Sequence, residues 1–324
     1  MINITLKEGD IVQIPRAGSW PAAVHLFDKS SAWAIKAALA AQRPLLVRGE
    51  PGSGKSQLAR AAAQVLGRAF IAEVVHARSE SQDLLWLFDA VARLGAAQTM
   101  GLSKKDTPNP KDPLDASLYL SPGVLWWAFN WSSAERQFNT CAMGRHQPEH
   151  PAGWQPAMGC VLLIDEIDKA DADLPNGLLE TLGNGAFTVP YLSEQVVLPR
   201  DMPPPLVVIT TNEERELPGA FLRRCMVLQL GLPTHSDELK KWLVGRGKLH
   251  FEKRCSEPVY NKTADLLLED REKAINLGLQ PPGQAEYLDL LRAVVEISDT
   301  EKGQLDVLEA IAPFALSKHP QEKG

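Results

Sequence analysis

An α/β fold is predicted for the first two-thirds of the chain, built on a five-stranded parallel sheet, with a helical domain for the remainder. Three observations carry this. Five short apolar runs, at residues 45–47, 70–75, 161–164, 206–211 and 226–230, punctuate the first part of the 324-residue sequence. Helical stretches lie between them, and strands that alternate with helices form a parallel sheet covered on both faces. The runs are also continuously hydrophobic, which is how a strand buried on both faces reads. Past Pro233 no further β-run occurs. There Leu239, Trp242 and Leu243, then Leu288, Leu291, Val294 and Val295, suggest helices, so the domains are expected at residues 1–233 and 234–324.

The first helix is expected over residues 30–42, where Ala34, Ala37, Ala38 and Ala41 lead into the first strand. A second follows Lys55, with Leu58, Ala61, Ala62 and Val65 at helical spacing and Gly67 as its C-cap. The segment "GLSKKDTPNPKDPL" at residues 101–114 is rich in Pro, Lys and Asp and reads as an exposed, mobile loop. In "LYLSPGVLWWAFN" (residues 118–130), Trp126, Trp127 and Phe129 fit packed core better than a binding surface. "FTVPYLSEQVVL" at residues 187–198 alternates across a turn, as a β-hairpin does. "MPPPL" is a connector that ends where a strand begins.

Composition narrows the classes. A net charge of −6 and a pI near 5.7 argue against broad nucleic-acid affinity, although a local basic channel would not show in that sum. No apolar run reaches the roughly 18 residues of a membrane span, and the first ten residues lack a signal-peptide pattern. Cys141, Cys160, Cys225 and Cys255 are too scattered for a zinc site or a disulfide scaffold, so a reducing, cytoplasmic setting is expected.

Two motifs carry chemistry. "GEPGSGKS" (Gly49, Glu50, Pro51, Gly52, Ser53, Gly54, Lys55, Ser56) matches G-x-x-x-x-G-K-[ST] between a strand and a helix. Its glycines let backbone N–H groups turn inward on phosphate oxygens, and the helix start adds its positive dipole end. Lys55 is expected to reach the β- and γ-phosphates of a nucleoside triphosphate and to have no protein partner without ligand, while Ser56 supplies an oxygen to Mg²⁺. The bland reading is an ordinary glycine-rich turn. In "VLLIDEID" the apolar run ends on Asp165 and Glu166. An acid at the edge of a buried strand is costly unless a cation meets it, so Asp165 is assigned to Mg²⁺ through water. Glu166 is assigned to orient or deprotonate the attacking water. A solvated "DEID" at a helix start is the alternative, and Asp168 and Lys169 are read as surface pairs.

The ordered set "GEPGSGKS", "YLSPGVLWWAFN", "VLLIDEIDKA", "ITTN" and "LPGAFLRRC" resembles the AAA+ ATPases and, within them, the MoxR-like group of dynein-related type. The resemblance covers residues 30–233, and the helical tail matches more loosely. It implies a P-loop AAA+ core with a helical lid, and a strand ending in Asn212 that lies between the loop strand and the acidic strand. It also implies that Asn212 positions water beside the γ-phosphate. One of Arg223 and Arg224 would be a finger reaching a neighbouring subunit's site, and the motif spacing favours Arg224. Residues 118–130 resemble the inserted second-helix element, and residues 187–198 the hairpin before the sensor strand. The implied protein is an ATP-hydrolysing homo-oligomeric ring, a hexamer, that remodels or activates a protein partner, with a von Willebrand factor A-domain protein as that partner. In the lid the sequence departs from the family. Glu286 stands where a second sensor arginine would fall, and Arg292 comes later. Alternatives are a nucleic-acid motor or loader on the same core, a P-loop kinase, and a nucleotide-binding scaffold that does not turn over.

Overall fold

The structure, a computed structural model, describes residues 6–102, 112–143, 146–192 and 194–316. The chain divides into two compact units. One comprises Ser56–Leu228, His25–Arg48 and the N-terminal stretch to Pro21; the other comprises Ala22–Val24, Gly49–Lys55 and the chain from Gln229 onward.

The first unit is organised by five strands: β1 (Leu45–Arg48), β2 (Ala69–Val74), β3 (Cys160–Asp165), β4 (Leu206–Thr211) and β5 (Met226–Gln229). They form one all-parallel sheet in the order β5-β1-β4-β3-β2. All six residues of β3 and of β4 are buried, whereas the edge strand β2 is exposed at its end and β5 alternates. Continuous apolar runs therefore mark the strands covered on both faces, and broken patterns mark the edges. The register sets Ile209 of β4 beside Leu46 on one side and Ile164 on the other. The strand that ends before Asn212 thus lies between the loop strand and the acidic strand, the order that the resemblance given above implies.

Helices α1 (Lys29–Ala41), α2 (Lys55–Leu66), α3 (Ala90–Leu102), α4 (Val124–Phe129), α5 (Trp131–Thr140), α6 (Asp173–Asn184) and α7 (Gly219–Leu222) fill the connections. Asp28 caps α1 by accepting from the Ser31 N–H at 2.7 Å, and Gln42 ends it in the left-handed region. Gly67 closes α2 at φ +62°, the left-handed turn the sequence reading assigned to it. Helix α3 was not anticipated. It runs through Gly101 and Leu102, the first two residues of the segment read as a loop, while residues 103–111 of that segment lie outside the described residues.

The aromatic insertion is core. Trp126, Trp127 and Phe129 are all less than 5% exposed, and α4 packs on β2 and β3. The Trp126 indole N–H donates to Ser133 Oγ at 3.1 Å, so its one polar atom is satisfied inside. Gly123 is required at the entry to α4, because a Cβ there would lie 2.6 Å from the Leu84 backbone. The predicted hairpin is present as Ala186–Val189 paired antiparallel with Glu194–Val197, with Phe187, Val189 and Val196 turned inward.

The second unit holds α8 (Ser236–Phe251), α9 (Glu257–Asn276), α10 (Gln284–Ile297) and α11 (Glu301–Ala315). Leu243, Val259, Leu267, Tyr287, Leu291, Val294 and Leu308 form its core. Helices α8 and α9 approach closely at Gly247, where a Cβ would fall 2.8 Å from the Tyr260 ring. No helix among the described residues is long and apolar enough to cross a membrane.

His250, on α8, is a titratable group in this helical core. Its Nε2 is buried with no hydrogen-bond partner among the described residues. Burial first, then the neighbouring Arg246 and Arg292 guanidiniums, lower its pKa from 6.5 to about 4. Between those values the unfolded chain binds a proton that the folded one refuses, so the contribution is complete above pH 6.5 and lost as pH falls toward about 4. We expect the unfolding free energy of the wild type to decline over that window, and that of His250→Leu to decline less steeply. Denaturant titrations at several pH values give both slopes, and equal slopes would refute the assignment.

Candidate functional site

Parallel strands bring their C-terminal ends to one edge of the sheet, and there the first unit assembles a polar cluster. Asp165 ends β3 with only 8% of its surface exposed. Both its carboxylate oxygens accept from Ser56 Oγ at 2.9 Å, and Oδ1 also accepts from Thr210 Oγ1 at 2.5 Å. Ser56 comes from α2 and Thr210 from the neighbouring β4, so three elements meet at one carboxylate. Among the described residues, no lysine, arginine or histidine forms an ion pair with it. A nearly buried anion satisfied by hydroxyls alone is the donor set that a hard divalent cation completes, so Ser56 and Asp165 fit Mg²⁺.

Glu166 follows in the left-handed region at φ +58°, an uncommon position for a residue with a side chain. Its N–H donates to Thr210 Oγ1 at 2.9 Å, and its Oε1 accepts from Asn212 Nδ2 at 3.3 Å. The structure thus brings together Ser56, Asp165, Glu166 and Asn212. Thr210 links them, accepting from one backbone N–H and donating to one carboxylate, and it is fully buried. Sequence reasoning missed it, because a threonine within a β-run reads as a strand former.

Asp168 corrects another expectation. It is not a surface pair but 2% exposed, and its carboxylate accepts from the backbone N–H groups of Asn212 at 3.2 Å and Glu214 at 2.9 Å. It therefore holds the turn that carries Asn212. Lys169 does pair at the surface, with Glu214.

The loop Gly49–Lys55 belongs to the second unit, the division falling within the first turn of α2. Gly49 at φ +152° and Gly52 at φ +74° are both required. A Cβ at Gly49 would meet the Leu230 carbonyl at 2.2 Å, and one at Gly52 would meet the Ala285 side chain at 2.7 Å. Lys55 is 7% exposed, and its Nζ donates to the Gly49 carbonyl at 2.7 Å and the Glu50 carbonyl at 2.9 Å. The expectation that Lys55 lacks protein partners is therefore wrong. A nearly buried ammonium must be satisfied, and the loop's own carbonyls satisfy it.

Arg223 and Arg224 lie just after α7, both exposed, and neither forms an ion pair among the described residues. Arg224 Nη1 donates to the Ala220 carbonyl at 3.3 Å. The structure does not bring either guanidinium onto Asp165, Glu166 or Asn212. In the second unit, Glu286 accepts from the Gly283 N–H at 2.9 Å and caps α10, while Arg292 pairs with Asp289 at the surface. The cation that meets the loop is Arg271, which sequence reasoning also missed; its Nη1 and Nη2 each lie 3.0 Å from the Glu50 carboxylate.

No protein-family model matches the chain, and a search among curated proteins finds no match.

The role of Asp168 is testable by stability. Removing this buried carboxylate takes the acceptor from two backbone N–H groups of a partly exposed turn, which costs about 1–3 kcal/mol. Urea titration of Asp168→Ala should show that loss, and Asp168→Asn should recover part of it, since an amide oxygen still accepts. A loss below about 0.5 kcal/mol, the range of neutral surface changes, would contradict the assignment.

Proposed function

We propose that this chain hydrolyses ATP as a MoxR-like AAA+ ring ATPase and uses the cycle to remodel or activate a protein partner. The observation that carries this reading is the cluster of Ser56, Asp165, Thr210, Glu166 and Asn212 at one edge of a parallel sheet ordered β5-β1-β4-β3-β2. The motif Gly49–Ser56 precedes and enters α2, as a phosphate-binding loop must.

In this reading the glycines of the loop present backbone N–H groups to the phosphates, and Lys55 exchanges its two carbonyl contacts for phosphate oxygens. Ser56 and Asp165 hold Mg²⁺, which when bound neutralises charge on the β- and γ-phosphates. Glu166 accepts a proton from the attacking water, and Asn212 keeps that carboxylate turned toward it through the 3.3 Å hydrogen bond. The αL backbone at Glu166 serves the same end, aiming the side chain at the neighbouring strand's terminus. Arg224 acts on the site of an adjacent subunit, consistent with an exposed guanidinium that makes no ion pair among the described residues and with a homo-oligomeric ring of six.

Glu166→Gln should retain ATP binding and lose hydrolysis by about 10²–10⁴-fold, the usual contribution of a general base. Arg224→Ala should also bind ATP while turnover falls by about 10³–10⁵-fold, the scale known for arginine fingers. Each variant is inactive alone for a different reason. Mixed under conditions where wild-type subunits exchange, they create interfaces that pair an intact Glu166 with an intact Arg224, and phosphate release should partly return. Near-normal turnover by Glu166→Gln sinks the catalytic assignment, and mixing that restores nothing sinks the finger acting between subunits.

A further inference from the structure

Glu50 is an anion inside a loop whose proposed ligand is a polyanion. Such loops work by concentrating N–H dipoles and one ammonium, and a carboxylate among them opposes the ligand's charge. In this chain the carboxylate is matched. Arg271, from α9, grips it in the two-pronged geometry of a guanidinium on a carboxylate, with Nη1 and Nη2 at 3.0 Å from the two oxygens. The same Nη1 donates to the Pro282 carbonyl at 2.8 Å, at the turn that leads into α10. The first turn of α10 faces the loop directly, because a Cβ on Gly52 would strike Ala285 at 2.7 Å. The Arg271 side chain is 12% exposed against 43% for Glu50, so the cation is the desolvated member and has little freedom to leave. Loop, α9 and α10 all belong to one compact unit.

We infer that Arg271 is a positioning residue for nucleotide binding: it cancels the Glu50 charge so that the loop accepts the phosphates of a nucleoside triphosphate. The inference rests on the ATPase reading above and adds to it a helical-unit arginine that acts through the loop, not on the phosphates. Two residues of opposite sign then have opposite effects. Without Arg271 the bare carboxylate repels the ligand, and more strongly with each added phosphate. Without the Glu50 charge the guanidinium is released to favour it.

The test is equilibrium binding of a fluorescent ATP analogue and its ADP counterpart to the full chain, with melting curves to verify folding. Arg271→Ala should weaken the triphosphate roughly tenfold or more and the diphosphate less, the effect shrinking as salt is raised. Glu50→Gln should bind the triphosphate at least as tightly as wild type. Glu50→Gln combined with Arg271→Ala should recover most of the lost affinity. Arg271→Lys should recover part, because one ammonium restores the charge without the fork. If Arg271→Ala binds as wild type does, or if Glu50→Gln weakens binding as much as Arg271→Ala, the charge-cancelling role is overturned. The Glu50→Gln measurement decides the matter even if Arg271→Ala does not fold. Failure of the wild type itself to bind either nucleotide removes the ATPase reading and this inference together, and that result is distinct from any pattern among the variants.

Discussion

A carboxylate at the end of a strand buried on both faces is the constraint on which the site depends. Asp165 cannot be left unsatisfied there, and the residues that satisfy it come from two other elements, α2 and β4. Those hydrogen bonds require β4 to lie directly beside β3 and the start of α2 to stand over both strand ends. The parallel sheet meets that requirement, since it gathers its C-terminal ends on one edge, and Thr210 ties the two strands together at the level of the acid. Glu166 and Asn212 inherit their positions from this arrangement, one by a left-handed turn immediately after Asp165 and the other as the residue that follows β4.

The loop shows the same logic in the opposite charge. Its glycines permit an inward-facing backbone, and within the second unit the loop runs so close to α10 that a Cβ at Gly52 would collide with Ala285. Lys55 is held by two carbonyls of the loop itself, and Glu50 is held by Arg271. Both charged side chains of this segment, Lys55 and Glu50, thus have partners within the second unit. Asp165 differs from both, since its hydrogen-bond partners among the described residues are neutral hydroxyls.

Much of the fold was legible in the chain because it depends on local pattern. The five apolar runs became the five strands, Gly67 became a left-handed cap, and the alternation at residues 187–198 became a hairpin. The aromatic run at residues 126–129 read as core and is core. Helix α3 was obscured by the Pro- and Lys-rich residues that follow it, whose turn signals spread back over its last residues. Asp168 was misread because an acid near a helix start looks the same whether solvent or two backbone N–H groups receive it.

What the sequence determined by itself was the class of fold and the chemical types at the site: a glycine-rich turn with a lysine, paired acids at a strand end, an asparagine at another. These follow from hydrophobic periodicity and residue chemistry, which act over a few positions. The tertiary structure decided the partners. Ser56 meets Asp165 across 109 residues, and Arg271 meets Glu50 across 221. Such pairings depend on strand order and on which helix packs over the loop. No local pattern encodes either, because a hydrogen bond between distant residues costs nothing in sequence until the chain has folded around it.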